Sequence, residues 1–163
     1  MSLSWSTYRF LENSLVTLLN TTLVSGGILD ENGNQIVARV GRKEDKSWVL
    51  PCISVYLDSV DSPKEFLGSN TTLDVNLMII DIYATNEGER LDLAQWVFNT
   101  IRDGFRYYSY SYNSLDPTAP TAVAGRWIHV NFISNMRVGL GQNVDLEDAH
   151  RHRISINCDI NGT

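Results

Sequence analysis

The stretch from Leu73 to Tyr112 limits the fold more than any other: LDVNLMIIDIYATNEGERLDLAQWVFNTIRDGF, then RYYSYSY. From Leu73 to Ala84, Leu73, Val75, Leu77 and Ile79 occupy one alternation and Met78, Ile80 and Ile82 the other. A strand apolar on both faces is central and covered on both sides. Thr85-Asn86 offers an N-cap oxygen, and Glu87 and Glu89 place carboxylates at the positive end of the helix that follows. Leu91, Ala94, Val97, Phe98, Ile101 and Phe105 form its predicted core stripe, leaving Leu93 and Trp96 for a second surface. Gly104 ends the helix, and Tyr108, Tyr110 and Tyr112 alternate with serines in an extended pattern.

The elements around this segment are consistent with it. Leu11, Leu15, Leu18, Leu19 and Leu23 fall at helical spacing, predicting a helix over 6–24 that stops at Ser25-Gly26-Gly27. Asn32-Gly33 between Ile28-Leu29 and Ile36-Val37 is a hairpin signal. Strands are expected at 35–40 and 48–59, with Pro51 at a strand start or on an edge. Along 126–138, Ile128, Val130, Phe132, Met136 and Val138 share one alternation. Along 149–160, Ile154, Ile156, Cys158 and Ile160 point inward. The order predicts an α+β fold: a mostly antiparallel sheet of four to six strands, two main helices packed on it, and long hairpin loops. All 163 residues form a single domain on this reading, with extended arms at about 60–72, 113–125 and 139–148. The 113–125 arm is far longer than the usual ~4–6 residues, which implies a role for it.

Composition excludes several functions. The net charge is −6 and the basic residues are spread thinly, so phosphate-neutralising nucleic-acid binding is not expected. The longest apolar run, Leu77–Ile80, is far short of the ~20 residues of a membrane helix, and MSLSWSTYRFLENS does not read as a secretory signal. Cys52 and Cys158 read as buried, reduced thiols. His150 and His152 share a strand face, and with His129 on a neighbouring strand they are the candidate metal ligands. Their register with Ile154 and Ile156 favours core histidines, so no metal or other cofactor is expected. Asp81 stands alone in an apolar strand; it caps a backbone group, pairs with an arginine such as Arg126, or crosses an interface. No nucleophile–base pair accompanies it, so no catalytic residue is assigned.

The leading helix, PCISVYLDS, the long polar loop, LDVNLMIIDIYATNEGERLDLAQWVFNTIRDGF and two closing strands together resemble the tail terminator (tail completion) proteins of long-tailed bacteriophages. The likeness spans about residues 4–160. It implies a non-enzymatic ring, usually a hexamer, that caps the tail tube, stops its polymerisation and joins the tail to the head connector. Its partners would be further copies of itself, the tail-tube protein and a connector or neck protein. DNA would only pass through, no membrane is involved, and the site of action would be the virion after assembly in the host cytoplasm. The expected contact residues are Lys64, Glu65, Phe66, Leu93, Trp96, Tyr108, Tyr110, Tyr112, Val123 and Arg126. The alternatives are a connector, neck or tail-tube subunit or, from another class, a small metal-dependent hydrolase using His129, His150 and His152.

Overall fold

The computed structural model describes residues 7–43, 47–61, 75–111, 118–138 and 149–161. In chain order the elements are α1 (Thr7–Ser25), β1 (Val37–Val40), β2 (Cys52–Asp61), β3 (Val75–Tyr83), α2 (Glu87–Ile101), β4 (Phe105–Ser111), β5 (Thr118–Arg137) and β6 (Arg151–Asn161). The six strands form one curled sheet in the order β1-β2-β3-β6-β5-β4. The fold is α+β, but the sheet is mixed rather than mostly antiparallel. β1 runs parallel to β2, Val37 opposite Cys52. The Asn-Gly turn does form, with Gly33 at φ +80 and a bridge between Leu29 and Gln35. That bridge ends at once, and the chain continues into β1 and crosses back to start β2 beside it.

β3 is buried along most of its length, as its two apolar alternations require. Met78, Ile80 and Ile82 share a core with Ile53 and Val55 of β2, Ile154 and Ile156 of β6, and the apolar stripes of both helices. In α1 that stripe is Leu11, Leu15, Leu19 and Leu23, all fully buried. In α2 it is Leu93, Ala94, Val97 and Ile101, so the predicted stripe is rotated: Leu91 is 53% exposed and Leu93 only 4%. Asn86 caps α2 by accepting the Glu89 N–H, and the Glu89 carboxylate accepts in turn from the Thr85 N–H and hydroxyl. This reciprocal arrangement satisfies donors that a helix start leaves open. After α2, Gly104 at φ +81 brings the backbone against β5, where a Cβ would lie 2.3 Å from the Ile128 carbonyl oxygen.

α1 touches both edges of the sheet. The Asn20 side chain donates to the Ala38 carbonyl at 3.0 Å and accepts the Ala38 N–H at 2.8 Å, occupying the free edge of β1. The Ser14 hydroxyl accepts the Tyr108 N–H of β4 at 2.9 Å and donates to the Phe10 carbonyl at 2.6 Å. Ser14 and Asn20 lie about 9 Å apart along the helix axis, each turned about 120° from the leucine stripe. A flat sheet of six strands would hold its edges about 24 Å apart. The sheet therefore curls around α1, the stripe entering its concave side and the two polar residues reaching the edges.

Most of the predicted 113–125 arm, from Thr118 on, belongs to β5, a 20-residue strand whose first part pairs with β4. The expected loops at about 60–72 and 139–148 lie outside the described residues, apart from the end of β2.

Replacing Asn20 by Leu is expected to lower stability by about 2 kcal/mol, because both polar groups of Ala38 lose their partner. It should also promote concentration-dependent aggregation through the bared edge. Urea midpoints and light scattering check this; a loss below about 0.5 kcal/mol would mean that water replaces the amide at no cost.

Candidate functional site

Two polar clusters lie on opposite sides of β3 and β6. The first is built on Asp81, whose side chain is 1% exposed on the face away from the helices. Register sets it opposite Ser54 of β2 and Arg153 of β6. Arg153 grips it with two bonds, Nε to Oδ1 at 2.8 Å and Nη2 to Oδ2 at 2.9 Å. Arg151 also donates to Oδ2, and the Tyr56 hydroxyl donates there at 3.3 Å. Burial alone would raise the Asp81 pKa; the hydrogen bonds from Arg153 and Arg151 outweigh it and hold the carboxyl below its ordinary range. A carboxylate so engaged is a poor general base, since neither its pKa nor its free lone pairs suit proton abstraction. Its partners are thus Arg151 and Arg153, not Arg126, which lies over the Tyr107 ring 5.6 Å from its centroid. Cations continue across this face: Arg151 and Lys43 over Tyr83, and Arg42 over Tyr56.

The second cluster sits on the helix side, at the start of α2. Arg90 is buried and donates to Glu87 at 3.1 and 2.6 Å. It also donates to Nδ1 of His152, which therefore carries its proton on Nε2 and gives it to the Asn135 Oδ1. Burial first, then the Arg90 charge, pushes the His152 pKa down, so the ring is neutral. The hydrogen bonds from Arg90 hold the Glu87 carboxyl at about 2. His150 lies at the edge of this cluster, Nδ1 3.5 Å from Glu87. Asn135 reaches it because β5 carries a bulge between Phe132 and Ser134 that inverts the alternation beyond it. The expected inward positions of Met136 and Val138 fail for the same reason, and Met136 is exposed.

The three histidines do not converge. His129 is exposed and pairs with Asp159, on the face opposite Cys158, so it cannot meet His152. Among the described residues no group of three or more His, Cys, Asp or Glu is placed to hold a metal. Cys52 and Cys158 are buried and not joined in a disulfide, and burial pushes the Cys158 thiol up to about 12.

Of the expected contact residues, Lys64, Glu65, Phe66 and Tyr112 lie outside the described residues, as do the side chains of Tyr110 and Val123. Leu93 is a core residue, Trp96 is half-buried, and Tyr108 is half-buried with its backbone held by Ser14. Leu93 and Trp96 do share one feature: they line a groove of about 510 Å³ between α2 and the 28–36 turn. Leu29 and Ile36 complete its apolar floor, and Glu31, Glu89 and Asp92 line it as well. The sequence held no signal for this groove, because its walls come from segments far apart in the chain. Comparison with models of known protein families finds no match, and comparison with curated proteins finds none.

Asp81→Asn is expected to cost about 3 kcal/mol, the low end for breaking a buried ion pair, because Arg151 and Arg153 reach solvent. A urea-unfolding difference below about 1 kcal/mol would rank the cluster with surface pairs.

His152 generates a pH prediction. Its folded pKa lies below the usual value, so the unfolded chain takes up the proton first. Its contribution to stability is complete above about pH 6.5 and is lost as pH falls toward the folded value. Urea midpoints across a pH series should show this decline in the wild type and not in His152→Gln; equal slopes would assign the decline to other groups.

Proposed function

We propose that this chain is a structural tail terminator of a long-tailed bacteriophage, a ring subunit that caps the tail tube, stops its polymerisation and joins the tail to the head connector. The observation that supports this reading is the order of elements on a single sheet: leading helix, three strands, helix, then a long hairpin and a closing strand. The sequence resemblance rests on such an order with two closing strands; the structure adds β4 ahead of them. The titratable groups of both polar clusters support a non-enzymatic role. The Asp81 carboxylate is held by guanidinium groups, and both His152 ring nitrogens are bonded to protein.

A ring subunit needs two different contact patches whose rotation closes the assembly. Exposed Trp127, Ile133 and Met136 on β5 and Val37 and Val40 on β1 offer apolar area for such contacts. The net charge of −6 suits a lumen that lets DNA slide past without adhering.

Immunogold electron microscopy of phage particles from the host that carries this chain tests the reading. Label at the head-proximal end of the tail is expected, and loss of the protein should give tails of uncontrolled length that fail to join heads. Label along the whole tube would indicate a tube subunit, label confined to the head vertex a connector, and no label on particles would overturn the virion assignment.

A further inference from the structure

One buried side chain ties the first turn of α2 to the sheet. Between Ala84 and Leu93, themselves buried, Arg90 is the sole buried residue. At one end the Ala84 N–H donates to the His150 carbonyl at 3.0 Å, and at the other Leu93 belongs to the core. The capping bonds of Asn86 and Glu89 close among residues 85–89, so they travel with the turn. Arg90 reaches His152 of β6, and both ring nitrogens of His152 are in use: Nδ1 accepts from Arg90, and Nε2 donates to Asn135. The turn also carries Asn86, Gly88 and Glu89, one wall of the groove.

We propose that the Arg90–His152 contact is a proton-operated latch: a proton taken up on His152 Nδ1 releases the first turn of α2 from the sheet, while the helix from Leu93 onward stays docked. The cause is a clash of donors. A second ring proton turns Nδ1 from acceptor into donor, facing the N–H groups of Arg90. The charged and titratable groups around the ring are Glu87 and Arg90 of α2, His150 ahead of β6, and Arg137 of β5, opposite His152 in register; β3 presents Ile82. Glu87 is the one anion among them, and it already accepts two bonds from Arg90. Imidazolium and guanidinium therefore repel each other in the closed arrangement, and water solvates both in the open one. His150 Nδ1, buried without a hydrogen bond and 3.5 Å from Glu87, is a replacement donor for that carboxylate once Arg90 leaves. Burial and the Arg90 charge hold down the affinity of the ring for a proton while the latch is closed, so acid favours the open state. This device is independent of the tail reading.

Amide hydrogen exchange on the full chain tests it, scored as protection factors so that the intrinsic pH dependence of exchange drops out. Between about pH 7.5 and about pH 5.5, protection at Arg90, Leu91, Asp92 and Leu93 is expected to fall severalfold, up to about tenfold. That is the most a single histidine of ordinary pKa in the open state supplies one unit below about 6.5. Protection at Val97–Ile101 and along β3 should hold. At neutral pH, ¹⁵N spectra of the His152 ring should show the proton on Nε2. His152→Gln keeps one acceptor and one donor but takes up no proton, so its first turn should stay protected at both pH values. His150→Gln should respond as the wild type does. A fall under about twofold, equal loss in α2 and β3, or a ring proton on Nδ1 at neutral pH each overturns the latch from the wild type alone, even where a variant does not fold. A folded His152→Gln that still loses protection, or a His150→Gln that no longer does, assigns the response to another group and overturns it as well.

Discussion

Everything else in this fold depends on one helix satisfying two sheet edges at once. A six-stranded open sheet has two rows of unpaired backbone groups, and each is a template for unwanted pairing. Here Asn20 presents to β1 the donor and acceptor that another strand would present, and Ser14 meets the amide of Tyr108 on β4. Because both partners lie on α1, the sheet must curl. Curling gives the leucine stripe of α1 a concave surface to fill, and that filled concavity is the core. The same helix reaches β2, where Glu12 accepts the Leu57 N–H at 2.8 Å beside a register shift. Burial raises the Glu12 pKa, against the opposing pull of that bond.

β6 is the strand that the two polar clusters share. Its alternation sends Arg151 and Arg153 to the Asp81 side and His152, Ile154 and Ile156 to the helix side. The two clusters solve different problems. On the outer face, an acidic residue in an apolar strand is neutralised by arginines from the neighbouring strand. On the inner face, a buried arginine is balanced by Glu87 and bonded to a neutral histidine. In both clusters the charges are matched within the protein, Asp81 by Arg151 and Arg153 and Arg90 by Glu87, whose carboxylate stays about half exposed.

How much of this could be read from the sequence follows from the range of each interaction. The helices, the doubly apolar β3 and the inward face of β6 are repeated local patterns and are readable directly. The N-cap at Asn86 needs only neighbouring residues and is equally plain. What escaped is what one inserted residue or a distant partner decides. The bulge at Phe132–Ser134 has no compositional mark, yet it inverts every later position in β5 and creates the bond from His152 to Asn135. Leu91 and Leu93 are interchangeable by hydropathy, and only the direction from which the sheet approaches α2 selects Leu93. The parallel placement of β1 beside β2 has no mark in the local pattern. Asp81 was visible as an anomaly, but its partners lie 70 and 72 residues away.

The two seals on α1 differ greatly in the length of chain they close. Asn20 and Ala38 are 18 residues apart, Ser14 and Tyr108 are 94. Chain entropy makes the second closure costlier by about 1.5 kcal/mol. The order of folding follows. Helix and near edge join as a local unit while the chain is still short, and the far edge closes only after β4 has been made. During synthesis on the ribosome the leucine stripe meets β1 early, and it receives its full cover only after β5 and β6, which join β4 to the rest of the sheet, have emerged.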